Sequence, residues 1–314
     1  MNKLQRSWEL LKISLTVMQR DKKLLLFPIL TTVFTAAIAL LFLCPVAFQP
    51  TGHSYLSVEH WKAAANSVFV VSSASTPEQA AERADHGFNA TRVRPLGMAY
   101  FALMYLLSMF CATFFNVAFY HQILAALNGQ TVSLAAGLRF ALSKWPAILM
   151  WTLFAGLVGY LIQALEKRLS FVGQLIMKLI GTAWSIACVF VIPVLITEDT
   201  ANPLQVLKKS ALTLTKTWGE SLIGYAGVSF GGAIIVLASL VWLAAGVGFS
   251  VAYHLYWMTA LIVLAWLVAI ILWSYVLSVA SQIFRCALFV YASQGTLPPP
   301  YTTDMVALAW KQKK

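Results

Sequence analysis

The 314-residue chain is 60% hydrophobic and 11% charged, with a net charge of +11 and a mean hydropathy of +0.77. Soluble domains carry about 25% charged residues, so this little charge cannot cover a water-facing surface, and a soluble globular fold is excluded. The excess Lys and Arg lie beside apolar runs and not in a basic patch interleaved with aromatics, which points to anionic lipid headgroups and away from nucleic acid as a partner.

The first 23 residues read as an amphipathic helix. Leu4, Trp8, Leu11, Leu15 and Met18 recur at spacings of four and three and share one face, while Gln5, Glu9, Lys12, Thr16, Gln19 and Lys23 form a polar stripe. Such a helix lies flat among headgroups. A core-facing helix of a soluble protein has the same pattern, but the apolar run directly after this one favours the interface. The charged region is too long for a cleavable signal peptide, and no small-residue cleavage site follows the first run.

Six apolar runs follow, at 24–48, 96–124, 147–165, 175–196, 222–249 and 258–283. Each is close to or above the roughly 20 residues that cross a bilayer. A polar insertion at 49–95 separates the first two, with Thr76-Pro77-Glu78-Gln79 as a capping box that opens a helix through about Ala84. Its His53, His60 and His86, with Glu59, Glu82 and Asp85, fit no compact zinc spacing.

The amphipathic device recurs before the third and fifth runs. Leu134, Leu138, Ala141 and Trp145 line one face, and Leu204, Leu207, Ala211, Leu214 and Trp218 another. Asn202 is the expected N-cap of the latter helix, with Pro203 at its first position and Gln205 at its third. A basic-x-small-Leu pattern occurs in all three segments: Lys12-Ile13-Ser14-Leu15, Arg139-Phe140-Ala141-Leu142 and Lys209-Ser210-Ala211-Leu212. The expected fold is therefore an all-α polytopic transmembrane bundle of six spans and three interfacial helices, with a possible threefold helix-hairpin repeat.

Fifteen of the 22 Lys and Arg fall on the side of the N-terminal segment, the even-numbered loops and the C-terminal end, counted as Arg285 and the tail at 292–314. The positive-inside rule then puts both termini in the cytoplasm of a multi-pass cell-membrane protein, with 49–95 outside.

Candidate sites are few. Gly227-Val228-Ser229-Phe230-Gly231 matches G-x-S-x-G, but the hydrolase motif needs a strand-to-helix elbow and acidic and His partners. In an apolar helix, Gly227 and Gly231, flanked by Gly224 and Gly232, form a helix-packing step instead. Lys178 is the ionisable residue inside a span and either snorkels to the surface or lines a transport path. Asn116, Tyr120 and His121 gather near the inner end of the second run, as belt residues or as a titrating group. Glu198 and Asp199 pair with a nearby Lys or Arg, cap the next helix, or line a vestibule. Lys12, Arg139 and Lys209, with Trp8, Trp145 and Trp218, form the lipid-interface set. Cys44, Cys111, Cys188 and Cys286 have no metal or redox spacing and read as small buried hydrophobes.

Arg6-Ser7-Trp8-Glu9-Leu10-Leu11-Lys12 and Asp21-Lys22-Lys23-Leu24-Leu25-Leu26-Phe27-Pro28, together with Pro193-Val194-Leu195-Ile196-Thr197-Glu198 leading to Trp218-Gly219-Glu220, resemble an uncharacterised family of prokaryotic membrane proteins, a domain of unknown function. The resemblance spans most of the chain except 49–95 and implies six membrane helices and no activity. The hairpin plan is also loosely similar to membrane domains that accompany glycerophosphodiester phosphodiesterases, whose catalytic domain has no counterpart in this chain. The functional expectation is a non-enzymatic membrane scaffold or accessory protein that engages lipids, a protein partner or another copy of itself, with no cofactor or metal. The alternative is a permease for a small or lipidic solute.

Overall fold

The computed structural model describes residues 3–70, 92–93, 95–216 and 236–301. Helix α1 (Lys3–Arg20) passes through a 3-10 turn (Lys22–Leu25) into α2 (Leu26–Ala47). Helix α3 (Val58–Val68) and a two-residue antiparallel pair, Phe69–Val70 with Arg92–Val93, occupy part of the expected insertion. Its expected helix from Thr76 lies outside the described residues. Then come α4 (Pro95–Leu127), α5 (Leu134–Ser143), α6 (Trp145–Glu166), α7 (Phe171–Ala187), α8 (Val191–Thr197), α9 (Pro203–Lys216), α10 (Val236–Ala252) and α11 (Tyr256–Gln294).

The protein is all-α and multi-pass. Among the described residues, five stretches are long and apolar enough to cross a bilayer: Lys22–Ala47, Gly97–Leu127, Trp145–Glu166, Phe171–Thr197 and Tyr256–Gln294. Part of the run at 222–249 lies outside the described residues, and its described end belongs to α10. Leu41, Leu179 and Ile271 are exposed on these helices. In water that exposure opposes folding, whereas acyl chains accept it at no cost.

Two compact units divide the chain, residues 31–112 and residues 1–30 with 113–314. In the first, the Tyr100 hydroxyl donates to the Phe42 carbonyl at 2.8 Å, with the two rings 4.9 Å apart. His60 is fully buried there, with Nε2 2.8 Å from the Ala47 carbonyl and Nδ1 2.6 Å from the Thr51 hydroxyl. Both ring nitrogens are thus engaged, and the residue ties α3 to the end of α2.

In the second unit α1 packs along α11, α6 pairs with α7, and α9 touches α6, α7, α8 and α11. Helix α11 has two characters. Its first half exposes Leu264, Leu267 and Ile271, and its second half buries Val279, Ile283, Phe284 and Leu288. The 39-residue helix is about 58 Å long at 1.5 Å per residue, nearly twice the hydrocarbon thickness. The first half has the exposed apolar surface of a lipid-facing helix, and the second packs in protein. Gly295 ends the helix in the left-handed region (φ 72°), its N–H bonded to the Tyr291 carbonyl at 2.8 Å. The expected C-terminal tail therefore begins inside a helix, and Tyr301 is buried, its hydroxyl 2.8 Å from that of Ser14 in α1.

Helices α1, α5 and α9 each precede a pair of longer ones and share a packing register. Ser14, Ala141 and Ser210 are all essentially fully buried, and the basic residue two positions earlier, Lys12, Arg139 or Lys208, is exposed. The third copy is shifted by one residue from the expected basic-x-small-Leu alignment, because Ser210 and not Ala211 meets the neighbouring helix.

Candidate functional site

Helix α9 is the hub of the site. Pro203 starts it where no backbone N–H is needed, and the Asn202 side chain accepts from the Leu204 N–H at 3.0 Å. Gln205 does not close a capping box. Its Oε1 accepts from the Thr200 hydroxyl at 2.9 Å. The buried face is Val206, Ser210, Thr213 and Leu214, rotated from the expected Leu204–Leu207–Ala211–Leu214 line. Leu204 and Leu212 are 61% and 54% exposed, with Lys208 exposed one turn from each.

Ser210 holds open a break in the fourth apolar run. Its hydroxyl donates to the Ala187 carbonyl at 2.6 Å and accepts from the Phe190 N–H at 3.1 Å. These are the groups a helix interruption orphans. Pro193 lies just beyond, in the first turn of α8, and has no N–H for the Val189 carbonyl, so a continuous helix through the break would leave that carbonyl without its backbone partner. One buried serine thus stabilises a discontinuous helix at the end of a span.

Beside the break is a cavity of about 530 Å³. Asn116 and Tyr120 of α4, Ser185 of α7, Cys188 of the break, and Gln282 and Arg285 of α11 line it. The Gln282 Oε1 atom is buried and has no hydrogen-bond partner among the described residues. Sequence reasoning placed Arg285 with the C-terminal charges and passed over Gln282. The signal was present, since Arg285 is the sole Lys, Arg, Asp or Glu in 256–294.

Glu198 and Asp199 follow α8 and each meets a lysine. Glu198 pairs with Lys209, and the Lys144 Nζ reaches the Glu198 carbonyl at 3.0 Å and the Asp199 carboxylate at 2.6 Å. The hydrogen bond and charge of Lys144 hold the Asp199 carboxyl below its usual range. These links fasten the α5–α6 corner to the α8–α9 corner. Neither carboxylate lines the cavity.

His121 stacks on Phe140 of α5, with ring centroids 3.9 Å apart, and its Nδ1 is 3.1 Å from the Gln122 amide nitrogen. Gln122 Oε1 in turn accepts from the Ser133 N–H at 2.8 Å, at the N-cap of α5. His121 packs against α5 and does not line the cavity. Lys178 is exposed on α7 and also lies away from the lining.

Of the lipid-interface set, Arg139 and Trp145 are exposed at α5 and the start of α6, and Lys12 is exposed on α1. Lys209 is half exposed and engaged with Glu198, so Lys208 is the outward cation of α9. The side chain of Trp8 lies outside the description, as do Trp218, Ser229 and the packing glycines Gly224, Gly227, Gly231 and Gly232. Among the described residues no three His, Cys, Asp or Glu side chains converge as metal ligands.

These features define an α-helical multi-pass membrane protein with an interrupted span and a polar cavity. The chain belongs to a family of unknown function, DUF6159, whose profile matches residues 95–298. The match includes Pro193–Glu198 but begins after the N-terminal motif, and it carries no six-helix count. No curated protein and no solved structure matches the chain significantly.

Proposed function

We propose that the protein is a non-enzymatic membrane scaffold whose short basic helices engage anionic headgroups and, through them, a partner protein or a second copy. The observation that carries this reading is the outer face of α9. A helix that already buries Val206, Ser210 and Leu214 still presents Leu204, Lys208 and Leu212 outward in one line. Exposed leucines flanking a lysine suit the boundary between acyl chains and phosphates. Arg139, Leu142 and Trp145 repeat the combination at α5 and α6. Reversing Arg139 and Lys208 to Glu tests it, because neither forms an ion pair among the described residues. Loss of co-purifying anionic lipid supports the reading, and unchanged lipid content refutes it.

The expected orientation has α1, α5 and α9 on the cytoplasmic side of the cell membrane. A reporter fused after Pro77 then reads outside and one after Lys209 inside; the opposite pattern refutes the orientation.

A second reading, a permease, has one observation in its favour: the α7–α8 interruption borders the cavity, and broken helices host solute sites in transporters. On this reading, substitutions at Gln282 or Asn116 alter solute flux while Lys178 and Glu198 variants do not.

A further inference from the structure

The cavity beside the α7–α8 break has a chemistry that identifies its ligand class. Arg285 supplies a planar guanidinium with five N–H donors, which matches phosphate geometry, and no carboxylate is among the described lining residues. Asn116 adds an amide. Three other polar groups of the lining lean the other way. The Thr182 and Ser185 hydroxyls already donate to the Lys178 and Gly181 carbonyls, at 2.8 and 2.9 Å, so their lone pairs are what they offer. Gln282 Oε1 is a buried acceptor with no hydrogen-bond partner among the described residues. A simple anion suits Arg285 and leaves these acceptors unmatched. A ligand with a phosphoryl group and attached donors suits both.

Size and position agree. At about 530 Å³ the cavity is within the range of small-ligand sites. Ser185 is about 7.5 Å along α7 from the exposed Ile180, at 1.5 Å per residue. The polar lining is therefore within a headgroup's reach of the apolar outer surface.

We propose that this cavity binds a phosphoryl anion bearing hydroxyl or amine donors, delivered either as a phospholipid headgroup or as free glycerol phosphate. Arg285 holds the phosphoryl oxygens, and Gln282, Thr182 and Ser185 accept from the donors. The proposal deepens the headgroup-binding reading and rests on it, but it concerns an interior site and not the outer face of α9.

The test is native mass spectrometry of the delipidated full-length protein titrated with phosphatidylglycerol, with phosphatidylmethanol, which lacks headgroup donors, and with sn-glycerol 3-phosphate. Wild type prefers phosphatidylglycerol to phosphatidylmethanol. Arg285→Gln weakens phosphatidylglycerol about tenfold, the loss expected for a charge-assisted hydrogen bond. Gln282→Leu abolishes the preference between the two lipids. Glycerol 3-phosphate bound by wild type and lost in Arg285→Gln identifies a soluble ligand; the same loss confined to the lipid identifies a membrane one. Equal binding of every probe to wild type and a folded Arg285→Gln overturns the proposal. If Arg285→Gln does not fold, Gln282→Leu decides, and an unchanged lipid preference overturns it. Lipid loss in the Arg139→Glu, Lys208→Glu double variant with none in Arg285→Gln rejects the cavity site and leaves the scaffold reading standing.

Discussion

Replacing Ser210 with alanine removes one oxygen and strips two backbone groups of their partners. Phe190 N–H and Ala187 C=O bond to that hydroxyl at 3.1 and 2.6 Å, and both Ser210 and Phe190 are fully buried. Each buried polar group left unmatched costs about 1–3 kcal/mol, and the half-buried Ala187 carbonyl beside the cavity sits at the lower end, so Ser210→Ala should destabilise by about 2–4 kcal/mol. That is a large part of a typical total stability of about 5–15 kcal/mol. Closing the break into continuous helix would not restore every bond, because Pro193 has no N–H to offer the Val189 carbonyl. Reversible unfolding in mixed micelles reads the stability change, and amide exchange at Phe190 reads the local one. A Ser210→Ala protein with an unchanged midpoint and an unchanged Phe190 exchange rate would show that the serine does not sustain the interruption.

Gly137→Ala should cost about 1–3 kcal/mol in the same assay, because an added Cβ would lie 2.9 Å from the Gln122 Cγ and 3.0 Å from the Ala118 carbonyl oxygen; a neutral result would mean that α5 is not pressed against α4. Tyr301→Phe should cost about 1 kcal/mol through its bond to Ser14, and the Ser14→Ala, Tyr301→Phe double variant should cost less than the two singles added, which a double-mutant cycle checks. Because the Asp199 carboxyl is lowered by its bond to Lys144, that link is complete above the usual aspartate value of about 3.9 and is lost only as pH falls through the lower folded value. Intrinsic-rate-corrected amide exchange over residues 198–202 should stay flat down to about pH 4 and be raised at neutral pH in Asp199→Asn; a rise between pH 6 and 5 would contradict the assignment.

The all-α, membrane-spanning character was legible in the sequence because it depends on composition and run length, which need no knowledge of contacts. The N-cap at Asn202 was legible for a similar reason, since capping is local. The packed face of α9 was not. Hydropathy reads Ser210 and Thr213 as polar, yet both are buried, and the hydroxyl of Ser210 has its partners 20 and 23 residues away. Pro193 marked the fourth run as interruptible, but the position of the break is fixed by that distant serine. Arg285 and Gln282 were missed because α11 continues past its exposed apolar half into protein, so a charge that reads as the start of a tail lies against a cavity. Glu198 and Lys209 both drew attention as charges near a span. They pair with each other, which leaves Lys208 as an unengaged cation on the exposed face of α9 among the described residues.

The central claim is that the basic, leucine-flanked faces of the short helices hold anionic lipid. Native mass spectrometry of gently extracted wild-type protein and of the Arg139→Glu, Lys208→Glu variant tests it most directly. The account predicts that wild type retains anionic phospholipid in preference to zwitterionic lipid, and that the variant, folded to the same midpoint, loses that preference. Retained anionic lipid in the variant, or none in wild type, would contradict it.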